Sequence, residues 1–483
     1  MSGDQLCFYL FLLLYIPLLV GYGFHRDFRY EKLVNEKKAV RWRRSGRATA
    51  GYGTPAFLLY VFPTLLVTFS LLLGWRLGLT YTGEAALHLM VVLLVYYPIL
   101  LAALPLLRRV VSARCCAVLG TLPSYLFVAG CFVNLYTLWP PKVVIRLPKN
   151  LLPALMGVWL AGAGGILLWK TAEHLIFRRR LLSPARPVTD WDALNLWDYE
   201  QQRIERRTDR PIPLMISPAA TSPVTIGLFS RTLVTVLPDR PYTQEELELI
   251  FRHELRHVQR LDSSAKLFYT FLLAFCWFYP PMWLVYRGAT ADLELSCDEM
   301  VLDRADDTRR EAYARLLLSQ AGDDRGFSTC LSGSAKALEH RLKSVLHPKK
   351  RLEGAILVSL TMVALFALGS LVTVTDTYGT AKEVILDQLP AVRMDLEDYE
   401  MWDEMAVMDT LKDLEVTRLS RQGRLPYDIP LDASFTLRST GANVWFLFSE
   451  NGYLYVGCEP FYDMRGLYRV EGEVDWEALK RTG

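Results

Sequence analysis

Six long runs without a charged side chain constrain this 483-residue chain more than any other feature. They cover residues 6–24, 57–75, 89–107, 116–138, 151–169 and 354–375. Each matches the length of about 20 helical residues that crosses the hydrocarbon layer of a membrane. The chain is 52% hydrophobic with a mean hydropathy of +0.17. These runs exclude a single soluble domain and predict a polytopic α-helical membrane protein of the plasma membrane.

The distribution of Lys and Arg predicts the orientation of these spans. The loop 25–53 carries nine basic residues, whereas the loop 76–88 carries only Arg76, so the former is expected in the cytoplasm. The first run has no basic residue before it and no small-residue cleavage site behind it, and we therefore expect a retained span. Only Lys142, Arg146 and Lys149, expected outside, run against the rule.

This topology divides the chain into four regions. They are a five-span region (1–175), a cytoplasmic domain (176–350), a last span (351–375) and an extracytoplasmic domain (376–483). The last region has 21 Asp/Glu against 11 Lys/Arg and a single cysteine, Cys458, so it forms no internal disulfide. A helix at 397–414 and strands at 433–438, 443–449, 452–457 and 466–470 predict a small α+β domain. Its acidity fits either the sensing of a cation or basic ligand or a solvated surface.

The cytoplasmic region contains the sequence His253-Glu254-Leu255-Arg256-His257. Thr243 and Glu246 form a predicted capping box, which starts a helix just before it. Histidines four residues apart share one helix face, where they can bind one zinc ion with Glu254 beside the metal-bound water. The alternative is a coincidental pair on a solvated helix.

A catalytic zinc site needs a third protein ligand. Glu294 is the best candidate, and Asp298, one helical turn later, can orient a ligating imidazole as a second layer around the metal. The alternative is an acidic, solvated helix face. Cys297 can compete as a ligand, although a lone cysteine in apolar surroundings is more often simply buried.

The segment 267–286 between these candidate ligands is uncharged and could be a seventh span. A crossing there would separate His253 from Glu294. Because Pro280 and Pro281 interrupt the helix pattern, we predict a hairpin that dips into the bilayer or packs on the spans, with an ordinary soluble helical hairpin as the alternative. Upstream, 217–238 predicts a short strand pair, in which Val224, Thr225, Ile226 and Gly227 can hold an extended substrate by strand addition or be purely structural.

These motifs, in this order and spacing, resemble the antirepressor membrane metallopeptidases, the family of the β-lactam sensor-transducers. The resemblance covers about 217–302 with specific motifs and the spans by architecture only. It implies a gluzincin-like zinc peptidase domain, mainly α with short strands. His253, His257 and Glu294 would be the zinc ligands, Glu254 the general base and Asp298 the supporting carboxylate. It further implies a peptidase that responds to an outside signal by cleaving itself, a winged-helix repressor, or both.

The outer region departs from the best-known members of that family. It has about 108 residues, too few for a penicillin-binding fold, and none of its lysines follows a serine by three positions. Covalent sensing of β-lactams is therefore not expected, and the extracytoplasmic ligand is unknown.

Two other functions remain open: a receptor that binds a repressor without cleaving it, and a housekeeping protease of membrane proteins. The basic loop 26–47 is better explained by topology and anionic membrane lipid than by direct nucleic-acid binding. A homodimer is one possible assembly.

Overall fold

The computed structural model describes residues 14–35, 64–65, 67–68, 70–72, 74–127, 143–148, 151–203, 211–228, 230–319, 335–388, 396–397, 404–420, 431–439, 442–449, 451–459, 464–476 and 479. Its helices are α1 (Ile16–Asn35), α2 (Trp75–Val110), α3 (Ala113–Leu119), α4 (Leu151–Leu182), α5 (Trp191–Arg203), α6 (Gln244–Arg260), α7 (Asp262–Phe275), α8 (Pro280–Val301), α9 (Asp307–Ser319), α10 (Ala335–Leu346), α11 (Ala355–Leu371), α12 (Ala381–Val384) and α13 (Glu404–Asp413). Its strands are β1 (Val143–Arg146), β2 (Arg186–Pro187), β3 (Leu214–Ser217), β4 (Val224–Ile226), β5 (Val234–Pro238), β6 (Val372–Thr375), β7 (Tyr378–Thr380), β8 (Leu396–Glu397), β9 (Glu415–Ser420), β10 (Leu431–Ser439), β11 (Ala442–Ser449), β12 (Tyr453–Glu459) and β13 (Gly466–Glu471).

One apolar core joins helices that are far apart in sequence. It contains buried side chains of α1, α2, α3, α7, α8 and α11. A methyl group at Gly21 of α1 would overlap the Ser359 hydroxyl of α11, so these two helices approach closely because Gly21 lacks a side chain. By length and composition, one helix of the described residues, Ala85–Val110, can cross a membrane, and the apolar stretch Ala355–Gly369 is shorter.

The predicted spans compare with the described residues as follows. The runs 89–107 and 151–169 lie within α2 and α4, and 354–371 corresponds to α11 before the chain extends into β6. The runs 6–24 and 57–75 lie in part outside the described residues.

The run 116–138 differs from a continuous span over its described part. Helix α3 ends at Leu119, and a short 3-10 turn follows at Leu122–Ser124. Two residues account for the break. Pro123 lacks a backbone donor, and Gly120 gives room to the Tyr269 hydroxyl of the hairpin, which would lie 2.8 Å from an added methyl group.

The segment 267–286 forms two helices, α7 and α8, joined by a turn at residues 276–279. Pro280 and Pro281 occupy the first turn of α8. Backbone N–H groups in the first turn of a helix have no partner within it, so proline is tolerated there. The tip of the turn packs on α4, since Trp159 Nε1 donates to Phe275 O at 2.7 Å. The chain therefore folds back, as the hairpin interpretation requires.

Beside this core lies a smaller unit with a four-stranded sheet of order β2-β3-β5-β4. Here the sequence indicated only a strand pair. Strands β3 and β5 are parallel, whereas β4 is antiparallel to β5 and forms one edge of the sheet. Trp197 of α5 packs edge-on against Phe251 of α6 at 4.9 Å, which anchors α6 in a separate apolar core.

The C-terminal unit is a seven-stranded sheet of order β7-β9-β13-β12-β11-β10-β8, with α12 and α13 packed against its core. The four strand-like runs of the sequence correspond to β10–β13, and α13 lies within the predicted helix. Gly452, at φ +73°, allows the tight β11–β12 turn that Asn451-Gly452 predicted. The sequence did not indicate β7, β8 and β9, which have three, two and six residues.

A two-stranded parallel sheet connects this unit to the helices. Strand β1 precedes α4, β6 follows α11 directly, and the register runs from Val143↔Val372 to Arg146↔Thr375. Arg146 also forms an ion pair with Glu471 and donates to the Thr417 hydroxyl at 2.8 Å. One of the three basic residues that run against the predicted orientation thus has an acidic partner.

Candidate metal centre

Helix α6 carries the two histidines and is fixed at both ends. The Glu246 backbone N–H donates to Thr243 Oγ1 at 3.2 Å, and the Thr243 N–H donates to Glu246 Oε2 at 2.8 Å. This confirms the predicted capping box. At the other end Leu261 adopts a left-handed conformation with φ 58°, which costs a residue with a side chain about 1–2 kcal/mol. The resulting sharp bend starts α7 beside the last turn of α6.

Three side-chain atoms converge between α6 and α8. His253 Nε2 lies 3.1 Å from His257 Nε2, and each nitrogen lies 3.5 Å from Glu294 Oε2. Ligand atoms of a tetrahedral zinc ion are about 3.3 Å apart, given bonds of about 2.0–2.2 Å. The three atoms therefore have the spacing of one face of a zinc tetrahedron.

The outer nitrogens of both histidines have buried partners. His257 Nδ1 donates to Asp262 Oδ2 at 2.7 Å. The Tyr313 hydroxyl donates to Asp298 Oδ1 at 2.6 Å and can then accept from His253 Nδ1 at 2.8 Å. With a proton on each Nδ1, each Nε2 presents a lone pair to the site. Neutral imidazoles in these tautomers direct two lone pairs and a carboxylate oxygen at one point, an arrangement that suits a bound cation.

Glu294 is held by a cation on its other side. Lys266 Nζ donates to Glu294 Oε1 at 2.8 Å, whereas Glu294 Oε2 is buried and accepts no hydrogen bond. Burial opposes ionisation of Glu294, but the Lys266 ammonium holds the pKa of this carboxyl well below its usual range. The ionised oxygen that lacks a hydrogen bond is the one near both histidines, which fits a metal ligand.

Asp298 lies in a second layer around the histidines. Its Oδ1 is 3.4 Å from His253 Nδ1, so Tyr313 provides the shorter connection. Arg341 binds both oxygens of Asp298, at 2.6 and 2.7 Å. A charged pair of this kind fixes the carboxylate, and through Tyr313 it fixes the His253 ring.

Cys297 is the alternative third ligand, because it forms a close buried group with His253 and His257. Its sulfur, however, lies 3.5 Å from His257 Nδ1, the nitrogen that also binds Asp262, on the ring edge away from His253 Nε2. Burial raises the pKa of the Cys297 thiol above its usual value, although His257 and Arg260 act in the opposite direction. Because Cys297 lies at the Nδ1 edge of His257 and Glu294 Oε2 lies near both Nε2 atoms, the geometry favours Glu294 as the third ligand.

The centre is closed to solvent. His253 and Glu254 are 0% exposed, His257 is 2% and Glu294 8%. Glu254 follows His253 on α6, in the position of the expected base. The expected substrate strand lies against α6 and is an edge strand, but its side chains are buried rather than exposed: Val224 is 1% exposed.

Four functional partners were missed by the sequence analysis: Asp262, Lys266, Tyr313 and Arg341. Asp262 and Lys266 each carried a weak signal. Asp262 lies just after the histidine helix, and Lys266 is the charged residue immediately before the uncharged run 267–286. Tyr313 and Arg341 gave none, because they reach the centre from α9 and α10, far along the chain.

Comparisons with known proteins find two similarities. Residues 143–345 match the family model described as BlaR1 peptidase M56. The chain is also similar to the regulatory protein BlaR1 of Bacillus licheniformis, with 24% identity over 262 residues, covering 51% of this chain. The match spans about two fifths of that relative, 41% of its length.

Proposed function

We propose that this chain is a membrane-embedded zinc endopeptidase that converts an extracytoplasmic signal into cytoplasmic proteolysis. The match of residues 143–345 to the family model described as BlaR1 peptidase M56 supports this proposal. The observation that carries the proposal is the convergence of His253 Nε2, His257 Nε2 and Glu294 Oε2 within 3.1–3.5 Å, with Glu254 next to the first ligand. A purely structural zinc would not need a carboxylate at Glu254.

The proposed chemistry is the hydrolysis of a peptide bond. A zinc ion held by these three side chains would supply a Lewis acid that polarises the carbonyl and acidifies water. Glu254 would take one proton from the attacking water and pass it to the leaving amine, while Asp262 and Tyr313 keep both imidazoles oriented. The balance is one water consumed, one C–N bond broken, and one carboxylate and one amine formed.

The proposed topology rests on how the ligand helices pack. The hairpin α7–α8 shares its core with α1, α2 and α11, and Tyr279 at its tip donates to Leu94 O, within the candidate span 85–110, at 2.7 Å. A hairpin tip at that depth fits a segment that enters the bilayer and returns. We infer a multi-pass protein with the metal centre at the cytoplasmic side.

The β1–β6 sheet supports the proposed transmission of a signal. It joins the C-terminal unit to α11 and, through residues 147–150, to α4. Helix α4 contacts the hairpin and leads into the peptidase sheet at β2. A displacement of the outer unit would thus move both helices that border the peptidase domain.

Burial of the centre favours a latent state. A peptide carbonyl cannot reach residues that are at most 8% exposed unless the structure opens. The strand β4 lies at the edge of its sheet, but its side chains are covered. We infer that a signal opens this region, after which a substrate adds a strand at Val224–Ile226. A winged-helix repressor or the chain itself is the proposed substrate.

The decisive experiment compares new protein N-termini by mass spectrometry in bacterial cells that express the wild-type chain or Glu254→Gln, with and without cell-wall stress. The proposal expects termini that occur only with the wild type, either within 178–351 of this chain or in a small DNA-binding protein. Glu254→Gln should retain zinc, measured as metal content of the purified chain.

Two results would contradict the proposal. Identical termini in both strains, when the purified wild type holds zinc and stress is confirmed by a reporter, would favour a receptor that binds its partner without cleavage. Removal of residues 376–483 distinguishes a sensor from a housekeeping protease of membrane proteins. A sensor loses its response to stress without these residues, whereas unchanged cleavage would favour the housekeeping protease.

A further inference from the structure

A cavity of about 400 Å³ lies between the end of α1, the start of α3, the end of α8 and the segment that leads into α11. It is separate from the zinc ligands, although Asp298 contributes to one wall. Six Lys or Arg and four Asp or Glu line it, which gives an excess of positive charge. Such a lining attracts an anion.

Most of the acidic charge in this cavity is already neutralised. Glu31 pairs with Arg114 at 2.5 Å, and Glu299 pairs with Arg351. Asp298 is bound by Arg341, as described above. Of the lining carboxylates, only Asp303 forms no ion pair within the part of the chain that the structure describes.

The basic side chains are in a different situation. Lys32, Lys349 and Lys350 line the cavity and form no ion pair with any residue that the structure describes. Arg351 has a side chain only 12% exposed, and its buried Nε–H donates to no acceptor. A buried donor without an acceptor is destabilising, and in a cavity wall such a donor suits an anionic oxygen of a ligand.

The surroundings of the cavity indicate the source of that anion. Lys349 and Lys350 directly precede α11, at the proposed cytoplasmic edge of the last span. Next to them Leu352, Ile356 and Leu360 are 67%, 77% and 61% exposed. Ile356 and Leu360 are four residues apart and share one face of α11. A charged cavity that opens beside an exposed apolar helix face matches a phosphate headgroup with its acyl chains.

We propose that this cavity binds the phosphate group of an anionic membrane lipid, held by Lys349, Lys350 and the Arg351 Nε–H. The site is independent of the zinc chemistry. It places a lipid against α8, the helix that carries Glu294, and against the entry to α11.

The test uses the full chain in nanodiscs of phosphatidylcholine and phosphatidylglycerol in equal parts, with native mass spectrometry of the lipids retained after transfer to detergent. Lys349→Ala/Lys350→Ala is compared with Arg179→Ala/Arg180→Ala, which removes the same charge from exposed positions at the end of α4. The first variant should lose phosphatidylglycerol affinity by more than about ten-fold, since one hydrogen bond to a charged oxygen is worth at least about that factor. The second should retain it.

Three outcomes would overturn the proposal. Equal losses in both variants would indicate general surface attraction rather than a site, and no loss in the first would exclude these lysines. Displacement of the lipid by millimolar inorganic phosphate would assign the cavity to a free anion. Because Lys349 and Lys350 are exposed, circular dichroism of both variants should match the wild type, which verifies that the fold is intact.

Discussion

Replacing Tyr313 by Phe removes one oxygen atom and tests how the centre orients His253. That hydroxyl lies 2.8 Å from His253 Nδ1 and 2.6 Å from Asp298 Oδ1, and Tyr313 is fully buried. Without it, the nearest described carboxylate oxygen is Asp298 Oδ1 at 3.4 Å from the imidazole nitrogen, beyond a good hydrogen bond. The ring would then lose both its fixed tautomer and its fixed rotation.

The magnitude follows from what is lost. Second-layer partners of ligating histidines are worth about 10–100-fold in metal affinity. This corresponds to about 1.4–2.7 kcal/mol of zinc binding free energy. The free energy of unfolding of the metal-free chain should fall by about 1–3 kcal/mol, because two buried hydrogen-bonding groups lose their partner.

The assay is competition for zinc between the purified chain and a chromogenic chelator. Tyr199→Phe is the matched control, since its hydroxyl belongs to a side chain that is 49% exposed in the same domain. Wild-type zinc affinity in Tyr313→Phe would refute the reasoning, because it would show that Tyr313 does not orient His253. A loss of the same size in Tyr199→Phe would refute it as well.

Three further predictions concern the third ligand, the hairpin and the outer unit. Cys297→Ala should keep full zinc content, and loss of zinc would make the sulfur a ligand in place of Glu294. Gly162→Leu should lower the free energy of unfolding of the detergent-solubilised chain by about 1–3 kcal/mol, because the new side chain would overlap Trp277 at the hairpin tip. Gly165→Leu is the control, since Gly165 has no neighbour within 4 Å. Equal melting temperatures of the two variants would contradict the packing of the hairpin on α4. Ile145→Pro should abolish stress-dependent cleavage, measured from the same new N-termini. Arg146→Ala should alter this cleavage little, because an ion pair this exposed contributes about 0–1 kcal/mol. A larger loss of cleavage in Arg146→Ala than in Ile145→Pro would show that side chains carry the signal.

The reason for choosing Ile145 is the strand pattern. Leu147 N donates to Thr375 O at 2.8 Å. Backbone groups alternate along a strand, so the Ile145 N–H also faces β6. Proline removes that donor.

Local patterns in the sequence predicted the elements whose signals lie close together. Thr243 and Glu246 mark the start of α6 because a capping box involves only four residues. The two prolines at 280 and 281 marked the turn of the hairpin for the same reason. The strands β10–β13 followed from alternation and from Asn451-Gly452.

Longer-range features were beyond the sequence. The run 116–138 looked like a span by composition, but whether a stretch of this kind continues as a helix depends on what packs against it. Here Tyr269 of the hairpin occupies the space beside Gly120. Likewise, the expected pairing of Asp298 with a histidine runs through Tyr313, whose position depends on the packing of α9 on α6.

The backbone connection between β1 and β6 has a consequence for how such a protein can acquire new inputs. Hydrogen bonds between main-chain atoms carry no sequence information, so almost any domain that continues from β6 can keep the same four-residue pairing. The C-terminal unit is then an exchangeable module attached through a generic connector, whereas the helices to which it is joined stay the same. A chimera joined after Thr375 should therefore preserve the register of this pair and answer to the ligand of its donor domain.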